Sequence, residues 1–317
     1  MKARIIALIM LVMLGASFVM YNILPFMVFT KSSTNIKYNK EESLITANFD
    51  SIKILQITDL HINGKLDMPT TFWIIKQLVK RTTPDLIIVT GDIFSSGCDE
   101  ADVERFIGFM EDISLPYAPI LGNHDDETPY TMAELSAILE NAPNSLFKTG
   151  NVDNMYGNYY YNVKFSNDNL YQLVFMDSRS DGFTEQSKEF YVNTVNESKA
   201  AGIRNMLFCH IPLPQTKEAY EAYQKDGSIG SGGINEEICD QDTDVGFFET
   251  LLDINSTDAI VYGHDHVNNL KVKYNGIDLC YGLKTGPSAY SDSGMMGGTL
   301  ITLNSDGTYT FEDIFVL

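Results

Sequence analysis

The chain has 317 residues, 44% of them hydrophobic, which is enough apolar content for a large globular fold and unlike a disordered chain. Its 22 Lys and Arg stand against 42 Asp and Glu, a formal net charge of −20. No basic cluster lies past the N-terminus, so nucleic-acid binding is not expected, and any phosphate held at a site must meet positive charge from bound metal.

Lys2 and Arg4 precede an apolar run that extends from Ile5 to Phe29. Its first part, 5–14, followed by Gly15, Ala16 and Ser17, suits a cleaved signal peptide. Its full length approaches the ~20 residues that cross a bilayer, which suits an uncleaved membrane anchor. Both readings place the remainder outside the cytoplasm, secreted or anchored. We therefore read 1–30 as the targeting segment, 31–50 as a polar linker and 51–317 as a single domain.

From Ser51 the patterns alternate as in an α/β fold. Residues 52–58 read as a strand ending at Asp59, and 68–81 as a helix with Asp67 at its N-cap and Phe72, Ile75, Leu78 and Val79 on one face. A buried strand at 86–90 leads to Gly91-Asp92, a helix follows at about 99–110, and the strand 117–121 leads to Gly122-Asn123-His124-Asp125. A helix carrying Met132, Leu135, Ile138 and Leu139 comes next. The runs 156–165 and 170–177 read as a hairpin around Asn167-Asp168-Asn169, in which Tyr159-Tyr160-Tyr161 is a pleated strand rather than a ligand platform. A helix at 184–200, a strand at 205–209 ending at His210, a helix at 215–224 and a long loop at 225–244 follow. The chain closes with a short helix at 247–252, a strand at 258–262 ending at Gly263-His264-Asp265-His266, and antiparallel strands at 269–274, 277–281, 297–303 and 308–316.

Five of these runs end in metal-ligand residues: Asp59-Leu60-His61, Asp92, Asn123-His124, His210 and His264-Asp265-His266. All five histidines of the chain lie in this set, which separates it from the ordinary case of a lone hydrogen-bonded histidine in a core or loop. Strand C-termini in α/β sheets share a rim, so residues far apart in sequence meet there. Mixed imidazole and carboxylate ligands with no thiolate suit Mn, Zn or Fe. Asp92 has no histidine neighbour in sequence, and a carboxylate bridging two ions is its natural role. Gly91, Gly122 and Gly263 are expected to let the backbone turn sharply at the strand ends.

These blocks, in this order, resemble the calcineurin-like metallophosphoesterases, whose pattern is Asp-x-His, Gly-Asp, Gly-Asn-His-Asp/Glu, His and Gly-His-x-His. The resemblance covers about 52–317, and the surroundings of His210 and of His264 to Asn268 are similar to the branch of small purple acid phosphatases. It implies a four-layer metallophosphoesterase sandwich, two mixed β-sheets flanked by helices. Carried over by position, it implies that Asp59, His61 and His266 hold one metal ion, that Asn123, His210 and His264 hold a second, and that Asp92 bridges them. The ions would be two divalent or trivalent cations, Mn, Fe or Zn. Purple acid phosphatases carry a metal-binding tyrosine three residues after the Gly-Asp aspartate; here that position is Ser95, so a tyrosinate–iron colour is not expected.

The chemistry implied is phosphoester hydrolysis by a hydroxide bridging the two ions, with His124 protonating the leaving oxygen as general acid and Asp125 orienting its imidazole. A small-molecule phosphomonoester or a phosphoprotein is the expected substrate. A phosphodiester, such as a cyclic nucleotide or a lipid headgroup ester, is the alternative, and an inactive metal-stabilised surface binding module is a third reading from a different class. Gln56, Thr58 and Asp265 are candidates for groups behind the ligands. The acidic run Asp240, Asp242, Asp244 lacks the later positions of a calcium loop and reads as solvated loop. Arg179 reads as a surface ion-pair residue before a phosphate contact. Cys209 and Cys280 read as buried thiols, while Cys98 and Cys239 fall in polar stretches where export would permit a disulfide. The segments 94–99, 225–244 and 287–296 are expected to wall the pocket.

Overall fold

The apolar runs that end in candidate ligands all form strands, and they divide between two sheets whose faces share a core. The computed structural model describes residues 34–64, 67–150, 152 and 155–316, so the targeting segment expected at 1–30 lies outside the described residues. Among the described residues no helix is long and apolar enough to cross a membrane.

The described chain opens with a hairpin of β1 (Ile36–Asn39) and β2 (Leu44–Ala47). β3 (Ser51–Ile57), helix α1 (Met68–Thr82), β4 (Leu86–Thr90), helix α2 (Glu100–Ile113), β5 (Tyr117–Ile120) and helix α3 (Met132–Asn141) follow. Next come β6 (Tyr159–Lys164), β7 (Leu170–Phe175), α4 (Glu185–Ala200), β8 (Asn205–Phe208), α5 (Gln215–Lys225) and the two-residue β9 (Gly230–Ser231). Helix α6 (Phe247–Ile254) and strands β10 (Thr257–Tyr262), β11 (Lys271–Tyr274), β12 (Ile277–Tyr281), β13 (Gly297–Asn304) and β14 (Tyr309–Phe315) complete it.

One sheet has the order β14-β13-β3-β4-β5 and the other β1-β2-β6-β7-β8-β10-β12-β11-β9. In the first, β3, β4 and β5 are parallel neighbours; in the second, β8 and β10 are. The nine-stranded sheet is covered on both faces, and its side chains show this by a period of two. Met206, Phe208, Ala259, Val261 and Cys280 join the core shared with the other sheet. Their alternates Leu207, Cys209, Ile260, Tyr262, Leu279 and Tyr281 pack with Tyr191 and Val195 of α4 and Phe247, Phe248 and Leu251 of α6. Phe72, Ile75 and Val79 of α1 and Val103, Phe106 and Met110 of α2 cover the five-stranded sheet. The result is the expected α/β sandwich of two mixed sheets between helices.

One expectation is corrected. The stretch 31–50 is not a linker from end to end: it carries β1 and β2, and β2 adds to the nine-stranded sheet in parallel with β6. Its polar look comes from the solvent-facing half of two short strands, while Ile36, Ile45 and Ala47 are buried. Thr34 and Asn35 are tied to Asp85 just before β4, so these residues pack as part of the domain expected to open at Ser51. Asp67 occupies the N-cap of α1, but its carboxylate makes no cap bond and accepts instead from Ser288 Oγ at 3.2 Å. By contrast α2, α3 and α4 each start with a reciprocal capping box, through Asp99/Asp102, Thr131/Glu134 and Thr184/Ser187.

All four cysteines are free, with Cys98, Cys209 and Cys280 buried and Cys239 exposed, so Cys98 and Cys239 are not joined. Tyr159 and Tyr161 are buried and Tyr160 is not, the pleated-strand pattern expected for that run. Between α1 and α2, the rings of Phe72 and Phe109 stack 3.9 Å apart at 2°. Phe72→Ala should therefore lower the unfolding free energy by ~3–5 kcal/mol. Urea denaturation checks this, and a loss below ~1 kcal/mol would contradict the packing described.

Candidate metal centre

The site forms where three adjacent parallel strands of one sheet and two of the other end on facing rims. β3 delivers Asp59 and His61, β4 delivers Asp92, and β5 delivers Asn123 and His124. From the other sheet β8 delivers His210 and β10 delivers His264 and His266. The sheets are locked here by Gln56, whose amide donates to Thr90 Oγ1 at 2.8 Å within its own sheet and to the Tyr262 carbonyl of the other at 3.2 Å. The chain leaving β12 then crosses between sheets, with Thr285 N–H donating to the Thr58 carbonyl at 2.9 Å.

Two groups of ligand atoms result, Asp59 with His61 and His266, and Asp92 with His210 and His264. In the first, His61 Nε2 and His266 Nε2 are 3.0 Å apart, with Asp59 Oδ1 at 3.9 and 3.6 Å from them. In the second, His264 Nδ1 and His210 Nε2 are 3.3 Å apart. Asp92 Oδ2 lies 3.2 Å from His210 Nε2 and 3.5 Å from His61 Nε2, so one oxygen faces both groups. The other oxygen, Oδ1, accepts from the His124 backbone N–H at 2.9 Å. Backbone carbonyls turn the lone pairs inward: His210 Nδ1 donates to Thr90 O at 2.7 Å and His266 Nδ1 to Tyr290 O at 2.8 Å, which leaves each Nε2 free to coordinate.

The donor set fits a pair of cations. Asp59 Oδ1 and Asn123 Oδ1 are buried oxygens with no hydrogen-bond partner, a costly condition that a cation relieves. Burial, with Lys284 nearby, pushes His61 down to about 3, and burial, with His210 beside it, pushes His264 down to about 4. Burial lowers His266 as well. These rings are neutral, as ligands must be. Burial also works against a charge on His210, but the adjoining Asp92 carboxylate outweighs it and raises His210 to about 10. A proton between His210 and Asp92 thus occupies the place that a cation competes for.

The backbone is bent to make this arrangement. Asp59, His61, Asp92 and His264 all have positive φ, at 54°, 45°, 49° and 76°, a conformation L-residues rarely adopt. The three glycines do not act as expected in every case. Gly91 has φ 89° and supplies the turn, but Gly122 and Gly263 are not left-handed. They are small because a Cβ at Gly122 would overlap Asp92 Oδ1 and its backbone N, and one at Gly263 would overlap Thr58 Oγ1 and Asp59 Oδ2.

Residues 52–268 match the family model described as calcineurin-like phosphoesterase. The chain belongs to that family. Within it, the chain is 27% identical over 299 residues to an Arabidopsis thaliana protein named probable inactive purple acid phosphatase 29, covering 76% of this chain and 74% of that one. It is 28% identical over 284 residues to the Saccharomyces cerevisiae phosphatase DCR2, covering 73% of this chain and 47% of that one. A dimetal phosphatase from Danio rerio has the same fold, with a TM-score of 0.53, 12% identity and coverage of 80% of this chain and 93% of that one.

Against this calcineurin-like frame, one expected contact is replaced. Asp125 does not hold the imidazole of His124: its two oxygens accept from Gly122 N at 2.7 Å and Phe94 N at 2.8 Å, fully buried. Burial and the neighbouring Asp92 charge push its carboxyl up to about 8. Its work is to hold the loop that carries Asn123. The partner of His124 Nδ1 is Glu127 Oε1 at 3.0 Å, while Glu127 Oε2 accepts from Ser96 N at 2.6 Å. An acid three residues after the histidine, in the 3-10 turn Asp125–Glu127, was the available signal. Ser95 is buried, and its N–H donates to Ile62 O at 3.2 Å.

Lys284 was also missed. It is buried, donates to the Asp59 carbonyl at 2.8 Å, and burial lowers it to about 8. A lone lysine straight after a buried strand was its only trace in sequence. Thr58 Oγ1 donates to Thr90 O at 3.0 Å, and Asp265 accepts from Tyr281 OH and from Asn268 Nδ2 at 3.2 Å, so both brace strand ends and turns. Burial raises Asp265 to about 7. Asp240 pairs with Lys217 and Asp244 accepts from Gln215, so these acids are structural. Arg179 is exposed, and its backbone N–H donates to Asp177 Oδ1 at 2.7 Å. We expect Gly122→Ala, which changes no ligand, to reduce bound metal at least ~10-fold in affinity, as disturbance behind a metal site does. Elemental analysis of the purified variant checks this, and full metal occupancy would refute the crowding argument.

Proposed function

We propose that this chain is a dinuclear metal-dependent phosphomonoesterase. The observation that supports it best is Asp92 Oδ2, set between the imidazoles of two separate ligand groups with the Asp59 and Asn123 oxygens unpaired beside them. Asp59, His61 and His266 would hold one cation and Asn123, His210 and His264 the other, with Asp92 shared; Mn, Zn or Fe suits such donors. When bound, the pair supplies Lewis acidity to phosphoryl oxygens and lowers the pKa of a water to near neutrality.

The protein's own part is positioning and proton delivery. The His124 side chain is 42% exposed, its ring 5.3 Å from that of His61. Glu127 holds Nδ1, and among the described residues Nε2 has no protein partner. We assign that nitrogen the role of giving a proton to a departing alkoxide, with the backbone N–H bonded to Asp92 Oδ1. Lys284, with the cations when bound, would set positive charge against an otherwise acidic chain and so favour an anionic substrate at this rim.

A second reading, a metal-stabilised binding module without activity, is favoured by the word inactive in the name of the Arabidopsis relative. This chain keeps a free imidazole beside the ligands, which a purely structural centre does not need. A small-molecule or phosphoprotein ester is the proposed substrate. Export follows as a further proposal from the apolar run at 5–29, and cell fractionation that finds the protein soluble in the cytoplasm would refute it.

The test is direct. The full-length protein loaded with Mn, Zn or Fe should hydrolyse p-nitrophenyl phosphate faster than its bis ester, and chelation should abolish turnover. A faster bis ester would make it a diesterase, and no turnover of either with metal bound would leave the binding module. His124→Ala should keep both metals and lose ~10²–10⁴ in kcat. Glu127→Ala should lose roughly 10-fold with metal retained, as expected for a group that only orients the acid. An Asp125→Asn variant that lost rate at full metal content while Glu127→Ala did not would restore Asp125 to the orienting role.

A further inference from the structure

One side chain beside the centre bears on the alcohol from which phosphate is removed. Tyr290 is 56% exposed. The other exposed large hydrophobics among the described residues, Phe49, Trp73, Leu170 and Phe315, lie at strand starts, on α1 or at the end of β14, away from the ligand-bearing strand ends. An exposed aromatic side chain ordinarily turns freely, but Tyr290 is fixed at two points. Its carbonyl accepts from His266 Nδ1 at 2.8 Å and its ring stacks on the His266 ring at 4.2 Å and 29°, while burial and the neighbouring Glu236 carboxylate raise its phenol pKa. Glu236 is itself tied back by Val267 N–H, which donates to Oε1 at 3.0 Å.

The segment carrying the ring is also held on both sides. Gly286 packs against the Leu60 backbone with no room for a Cβ, Ser288 Oγ donates to Asp67, and Gly297 N–H donates to Lys284 O at 3.0 Å. The hydrogen bond to His266 does not account for the side chain, because its acceptor is a main-chain carbonyl that any residue at 290 supplies. What the side chain adds is a planar face, oriented in advance, with one side on a proposed metal ligand and the other open to solvent. A ring held in place binds another ring without losing rotamer freedom on association.

We propose that the open face of Tyr290 is a platform for the leaving group, so that the centre favours phosphoesters whose alcohol carries a planar aromatic ring. This rests on the phosphoesterase reading above. The ring could sit directly on the ester oxygen, as in a phenolic ester, or beyond a sugar, as in a nucleotide.

The experiment compares kcat/KM for phenyl phosphate, adenosine 5′-monophosphate and glycerol 2-phosphate in the metal-loaded full-length protein and in Tyr290→Ala and Tyr290→Phe. In Tyr290→Ala the ratio of an aromatic ester to glycerol 2-phosphate should fall about 3- to 10-fold, chiefly through KM, with metal content unchanged. Tyr290→Phe, which keeps the ring, should retain most of that ratio. The aromatic ester whose ratio falls identifies how far the ring lies from phosphorus. An unchanged ratio for both aromatic esters overturns the proposal, as does loss of metal with equal loss on all three substrates. If the wild type turns over none of them, the hydrolase reading fails separately. Calorimetry with phenylphosphonate against methylphosphonate then judges the platform: a preference for the aryl ligand that Tyr290→Ala removes sustains it, and equal affinities overturn it.

Discussion

The structure depends on a single buried carboxylate oxygen that faces two imidazoles from different sheets. Asp92 stands at the end of β4, and its Oδ2 lies within 3.5 Å of His61 Nε2 on the neighbouring strand and of His210 Nε2 on the opposite sheet. Nothing near Asp92 in sequence could create that meeting. It requires the C-terminal ends of β3, β4 and β5 to face those of β8 and β10. A one-residue slip of a ligand-bearing strand within its own sheet would turn alternate side chains away from the shared core and take the ligands apart.

Much of the surrounding architecture can be understood as holding that meeting in place. Gln56 bonds across the sheets, the chain after β12 crosses from one to the other, and Lys284 on that crossing is drawn into the interior by the Asp59 carbonyl. The cluster is unfavourable by itself: two carboxylates, crowded ring nitrogens and two unpaired oxygens share a largely buried space. Four of the proposed ligands also have left-handed backbone. Strain and unsatisfied charge of this kind persist where the fold over-determines them, and bound cations would turn the same groups into a stabilising set.

The two sides of the centre differ in character. Asp125 and Glu127, two residues apart, divide one expected job: the first secures the loop by two backbone N–H groups, and the second meets the imidazole of His124. On the other side His266 is packed under Tyr290, with Glu236 behind it. On the proposed reading, one side offers a proton donor on a partly open turn and the other a fixed aromatic wall, an asymmetry that would orient a phosphoester.

The seven ligand candidates and the strands that carry them were legible in the sequence because each is a local signal. A run of apolar residues makes the strand, and a polar residue straight after it must lie at the rim. The alternation of buried strands and amphipathic helices likewise announced an α/β sandwich. Groups whose role comes only from neighbours distant in the chain were not legible. β1 and β2 look polar until β6 is placed beside them, and Lys284 and Tyr290 are ordinary residues until the chain after β12 crosses between the sheets. Gly122 and Gly263 read as flexible turns, yet what excludes a side chain there is the oxygen of another strand's ligand. Short-range chemistry decides which residue types stand at a strand end; only the packing of two sheets decides which of them touch.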